Sequence, residues 1–287
     1  MDVIFAVGIL SLQLNDPDRA EASLRRLLAM DFRDKDSIHL YLGQIAEDRK
    51  QYPAALAEYA QVVEAEHFVA ARIRYANVLA KQDHLAEARK YLQDADVRAS
   101  TQRVQLTLAE AQLLRDANQT QEAFDFLAHN LEANPDQPDL LYDYAMVADK
   151  LDRTDVLEAS LRKLIALKPD HAHAYNALGY SLAERNVRLD EALKFIDKAL
   201  TLAPDDAFIV DSMGWVQFRL GHYESSLKFM RRAYASRPDP DIAAHLGEVL
   251  WTVGERDEAK RVWQDAAKKN PDNEALMSTM KRFAAKQ

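Results

Sequence analysis

The chain has 287 residues, 48% hydrophobic and 29% charged, with only 7 Gly, no Cys and a formal net charge of −9. So little Gly leaves scant material for sheets or long flexible loops, and the negative charge argues against nucleic acid as the main partner, since phosphate backbones are held by clustered Lys and Arg. Without cysteine there is no disulfide framework or thiolate metal site, and without a run of about 18 apolar residues no bilayer span is predicted.

A small residue recurs at Gly8, Gly43, Ala76, Ala111, Ala145, Gly179, Gly214 and Gly247, at intervals of 35, 33, 35, 34, 34, 35 and 33 residues. Units of this length predict an all-α solenoid of stacked helix-turn-helix hairpins, because each hairpin can bury its apolar face only on its neighbours. Eight units are predicted, at about 1–35, 36–68, 69–103, 104–137, 138–171, 172–206, 207–239 and 240–272, in one elongated domain. Residues 273–287 read as a capping helix, since Lys281 stands where a ninth unit would need Gly or Ala.

The first unit opens inside an apolar helix, Met1-Asp2-Val3-Ile4-Phe5, whereas solenoids usually shield their ends with polar caps. The expectation is that natural sequence precedes residue 2, with Met1 supplied for expression and any localisation signal lying upstream. Units three and four carry Ala at 76 and 111 in place of Gly, and no closing Pro occurs before Pro135. Unit five also has Ala145 in place of Gly, and Leu157 in unit five and Ser226 in unit seven stand where Ala is usual at the helix crossing. The close packing of those two units is expected to loosen.

Unit six shows the pattern most fully. Tyr175-Asn176-Ala177-Leu178-Gly179-Tyr180-Ser181-Leu182 has apolar residues three and four apart, the signature of one helix face (helix A). A turn through Asn186-Val187-Arg188 leads to the amphipathic run Leu189 to Leu200 (helix B), and Pro204-Asp205-Asp206 stops it and caps the next helix.

Tyr175, Leu178, Gly179, Ala192, Ile196, Ala199 and Pro204, and in the last unit Leu246, Gly247, Ala259, Trp263, Ala266 and Pro271, resemble the tetratricopeptide repeat family. The resemblance implies a right-handed superhelix whose concave wall is made by the A helices. Residues at unit positions 2, 5, 9, 12 and 13 then face a groove. In units two to four these are small or polar, for example Ser37, Gln44, Ala70, Asn77, Gln105 and Gln112. In units five to eight they include Tyr142, Met146, His173, Asn176, Tyr180, Phe208, Asp211, Trp215, Phe218, Glu248 and Trp251. Large aromatics on an open wall are expected to be covered by something, which makes these eleven residues the candidate partner-binding groove. Phe218 and Trp251 are equally readable as fillers between neighbouring A helices, and Trp263, in helix B, reads as core.

Some members of the family clamp a partner's terminal carboxylate with Lys and Asn on the first A helix; here positions 5 and 9 offer Ile73 with Asn77, and Asn176 with Tyr180, so that mode is not expected. The eight His are scattered, with no pair four apart and no His-Glu-x-x-His, so no metal site is predicted. Gly179-Tyr180-Ser181-Leu182-Ala183 lies inside a helix and lacks the second Gly of a nucleophile elbow. Neither catalysis nor a cofactor is expected.

The stretch Asn176 to Arg185, followed by Pro204-Asp205-Asp206 and Asp211-Ser212-Met213-Gly214-Trp215-Val216, is similar to proteobacterial envelope lipoproteins of this family, some of which act as adaptors of a carboxyl-terminal processing protease. That implies a non-catalytic scaffold binding a peptide or helix of a protein partner, such as that protease, on the periplasmic side of the bacterial outer membrane. A cytoplasmic location stays open. So do a module that self-associates through its uncapped first unit, and a regulatory region of a larger enzyme.

Overall fold

The computed structural model describes residues 1–63 and 65–284. Seventeen α-helices and no strand lie among them. They pair as hairpins: α1 (Asp2–Gln13) with α2 (Pro17–Ala29), α3 (Lys35–Asp48) with α4 (Tyr52–Tyr59), α5 (Ala65–Ala80) with α6 (Leu85–Gln93), and α7 (Ser100–Asp116) with α8 (Thr120–Ala133). Then follow α9 (Pro138–Lys150) with α10 (Thr154–Leu167), α11 (Ala172–Glu184) with α12 (Leu189–Leu202), α13 (Ala207–Arg219) with α14 (Tyr223–Ser236), and α15 (Pro240–Thr252) with α16 (Arg256–Lys269). The capping helix α17 covers Glu274–Ala284; residues 285–287 of the expected cap lie outside the described residues.

Where a single elongated domain is expected, two compact units form, Met1–Pro135 and Asp136–Gln287. In the first, α2 packs on α3, α4 on α5 and α6 on α7, while α3, α5 and α7 lie side by side. In the second, α10 packs on α11, α12 on α13 and α14 on α15, and α11, α13, α15 and α17 form a consecutive row.

Two predicted boundaries are displaced. Residues 68/69 and 103/104 fall inside α5 and α7, which begin at Ala65 and Ser100. The preceding B helices, α4 and α6, have 8 and 9 residues against 14 in α12 and α14. No Pro marks the end of those units, so nothing in the sequence signals where the short B helix stops.

The recurrent small residue has a steric cause in its own hairpin. A Cβ on Gly247 would meet Trp263 Nε1 of α16 at 2.0 Å, and one on Gly43 would meet Tyr59 Cε1 of α4 at 2.3 Å. The B helix thus inserts a large ring where the A helix leaves a gap, the close crossing that ridge-and-groove packing requires. Leu157 and Ser226 do not loosen their hairpins: both are fully buried.

Every A-to-B turn is closed the same way. A residue with positive φ stands at Asn15, Lys50, Asp83, Asn118, Asp152, Asn186, Gly221 and Gly254, joined in the sixth turn by Arg188. The next residue's N–H then donates to a carbonyl five residues back, from Asp16 to Ser11, Gln51 to Ala46, and so on to Glu255 to Leu250. This left-handed cap satisfies carbonyls that the helix end leaves free.

Candidate protein-binding face

All eleven groove residues predicted from the sequence lie in the 136–287 unit, on α9, α11, α13 and α15. Each of these A helices packs against its own B helix, and α13 packs against both α11 and α15. As a result α13 is buried almost continuously from Ala207 to Val216. That packing corrects the expectation of an open aromatic wall at four positions.

Trp215 is only 3% exposed. Its ring stacks on His245 of α15 at 4.3 Å between centroids, and its Nε1–H donates to Glu184 Oε2 at 2.8 Å. Trp251, 8% exposed, packs against Trp263 and against Phe283 of α17. Glu248 is buried and pairs with Arg282 of the same helix α17. The capping helix therefore occupies the end of the expected groove. Asp211, 5% exposed, accepts from His245 Nδ1 at 2.8 Å. Trp263 is core, as expected.

The remaining residues line a face that stays partly open. Tyr142, Met146, Asn176, Tyr180 and Phe218 are half-buried, and His173 and Phe208 are exposed. Phe208 keeps 38% of its surface and lies under the Arg237 guanidinium at 4.7 Å. Tyr142 leans on His171 at 5.3 Å, and Phe218 on Trp215 at 5.2 Å. His173 stands 4.0 Å from an Asp206 carboxylate oxygen.

Beneath this face runs a buried polar chain. A carboxylate can only accept, so Asp211 Oδ2 fixes the proton of His245 on Nδ1. In the neutral ring Nε2 is then an acceptor, placed 3.3 Å from the Tyr180 hydroxyl. Burial pulls the His245 pKa down, but the adjacent Asp211 carboxylate, with Glu184 and Glu248 behind it, outweighs this and raises it above the ordinary value. The Tyr180 hydroxyl is driven well above the usual phenol range, first by burial and then by Glu184, Asp211, Asp241 and Asp149. Asp211 Oδ1 and Asn176 Oδ1 are buried without a hydrogen-bond partner among the described residues.

His245 is the member that sequence reading missed. Its contacts reach Asp211, 34 residues earlier, and Tyr180, 65 residues earlier. The first separation is one repeat and the second nearly two, so the signal lay in the period rather than in any local motif. No group of three or more potential metal-ligating side chains occurs among the described residues. No described helix is long and apolar enough to cross a membrane.

The tetratricopeptide repeat family model matches residues 8–67 and 153–207. A TPR repeat-containing protein of Pseudomonas aeruginosa is 40% identical over 213 residues, 74% of this chain and 36% of that protein, so the chain spans about a third of its relative's length. A tetratricopeptide repeat protein from Parabacteroides merdae superposes with a TM-score of 0.64 at 14% identity, covering 86% of this chain and 98% of the other. A thermophilic TPR protein of Thermus thermophilus gives 0.56 at 23% identity, covering 63% and 97%. Proteins of this fold are typically non-catalytic and generally mediate protein–protein interactions. Repeat length, hairpin packing and these likenesses agree: residues 8–67 and 153–207 match tetratricopeptide repeats, and the fold is that of the proteins that carry them.

Proposed function

We propose that the chain is a non-catalytic adaptor that holds a peptide or helix of a partner protein on the A-helix face of its 136–287 unit. The observation that carries this is the row of half-open apolar and aromatic side chains, Tyr142, Met146, Tyr180, Phe208 and Phe218, on helices whose other sides are filled. An exposed ring forgoes the roughly 1.5–3 kcal/mol that burial supplies, and Tyr and Phe anchors of this kind are what a binding surface uses. Trp215, Trp251, Asp211 and Glu248 support that surface from below.

The partner in this proposal is a carboxyl-terminal processing protease of the bacterial envelope, met on the periplasmic side of the outer membrane. The support is the similarity of the segments from Asn176 to Arg185 and from Asp211 to Val216 to envelope adaptors of that kind. Replacing Tyr142, Met146 and Phe208 together by Ala is expected to abolish recovery of the protease from envelope fractions while leaving the melting temperature within a few degrees. A triple variant that recovers the protease like the parent would sink the face. A parent that recovers only cytosolic partners would sink the location.

A further inference from the structure

We propose that the segment held on this face is basic, an extended stretch of the partner carrying Lys or Arg; this deepens the function proposed above and rests on it. Four carboxylates drawn from four A helices, Asp149 of α9, Glu184 of α11, Asp211 of α13 and Asp241 of α15, raise the Tyr180 pKa; Asp211 reaches that hydroxyl through His245, and Glu184 holds the Trp215 indole stacked on the same imidazole. Asp149, Glu184 and Asp241 are exposed, as is Asp139 at the start of α9. None of these four exposed carboxylates lies within ion-pair distance of a cation among the described residues. Burial by surrounding atoms, reinforced by Asp152 and Glu184 against the opposing Lys150 and Arg185, raises the Asp149 pKa, as expected of a carboxylate without its own counter-ion.

The cations on this side do not balance the acids. Arg219 donates to the Glu184 main-chain carbonyl at 2.9 Å, and Arg282 is committed to Glu248. Arg237, over the Phe208 ring, is paired with Asp239, and Lys150 and Arg185 remain, beside Asp149.

A second observation points the same way. Asp211, buried on all but 5% of its surface, retains an unpartnered oxygen, and so does Asn176 one repeat earlier on α11. The face therefore offers negative charge from exposed carboxylates, over further buried acceptors, with few donors, while ammonium and guanidinium groups are donors only. The half-open rings of Tyr142 and Tyr180 add faces on which a cation is attracted by the ring quadrupole, as the Phe208 ring already holds Arg237. An acidic partner segment would meet like charge from three helices, α9, α11 and α15. The net charge of −9 steers a basic partner toward the whole chain.

The test uses the full chain and three fluorescent peptides that alternate alanine with lysine, with glutamine or with glutamate, read by anisotropy. The lysine peptide is expected to bind, to weaken as salt is raised, and to lose about tenfold in affinity in the variant Asp149→Asn, Glu184→Gln, Asp241→Asn, a drop of about 1.4 kcal/mol. The replacements at Glu184 and Asp241 keep the acceptors that Trp215 and Asn273 use, and Asp149 has no ion pair to lose, so the melting temperature is expected to hold. Equal binding of the lysine and glutamine peptides, or an unchanged affinity in the amide variant, overturns the basic segment. If binding is indifferent to charge yet lost with Tyr142→Ala and Phe208→Ala, the face stands and only its charge preference falls. If neither set of substitutions matters, both fall.

Discussion

The imidazole of His245 joins the Asp211 carboxylate at 2.8 Å, one repeat away, in a site where both side chains are enclosed. Because the pair raises the folded pKa of His245 above that of the unfolded chain, its contribution to stability is full below the ordinary His value of about 6.5 and is lost as pH rises through the folded value. Urea melts across that range are expected to show stability declining with rising pH. His245→Gln removes the cation and leaves a buried carboxylate, which costs about 3 kcal/mol or more, and it flattens the pH dependence. A parent chain equally stable on both sides of neutrality would show that the pair does not form.

The gap at Gly247 and the one at Gly8 look alike in sequence and differ in depth. A methyl on Gly247 collides with Trp263, whereas on Gly8 it finds Leu24 at 3.4 Å, an ordinary contact. Gly247→Ala is therefore expected to destabilise by about 2–3 kcal/mol through displacement of the indole. Gly8→Ala, inside α1, is expected to stabilise by about 0.5–1 kcal/mol, since Gly is a poor helix former. Thermal denaturation of the two variants separates the cases, and equal effects would refute the steric account.

The turns make a matching prediction that owes nothing to packing. Gly254 has φ +95° and open space around any added Cβ, so Gly254→Ala tests the backbone alone. A loss of about 1 kcal/mol is expected. Gly254→Asn should lose less, because Asn tolerates the left-handed region and already fills three of the equivalent turns, at Asn15, Asn118 and Asn186. Equal losses for the two would indicate that the turn is not held in that conformation.

The repeat was legible because its cause is steric and local. Each small residue faces a large one on its own B helix, Gly43 with Tyr59, Gly179 with Ile196, Gly214 with Met230, Gly247 with Trp263, so the period survives where Ala replaces Gly. The turn residue was equally periodic, seven places after each small residue from Asn15 to Gly254, but Asn, Asp, Lys and Gly all fill it, and identity alone hides it. Helix limits near 65 and 100 were illegible for want of Pro. Within the face, the positions read from the repeat leave part of Phe208 and Tyr142 open. They failed for Trp215 and Trp251, because the depth of a side chain depends on the neighbouring helix, here His245 and Phe283, which a single repeat does not contain.

The aromatic cluster at the chain's last described turns offers the sharpest check on that point. Phe283 lies 5.7 Å from Trp251 and 5.4 Å from Trp263, which are themselves 5.9 Å apart, and the buried residues of α17 are Phe283 and Leu276. If α17 is the cap that closes the solenoid, Phe283→Ala opens a cavity against two indoles and costs about 3–5 kcal/mol. Both rings then gain water, so the tryptophan emission of the native protein shifts to the red, while Trp215, covered by His245, holds its own contribution. If α17 is instead a loosely attached tail, neither stability nor emission changes. In the first outcome Trp251 belongs to the stack and cannot anchor a partner without displacing α17; in the second it returns to the binding face, and the partner's footprint extends to the end of α15.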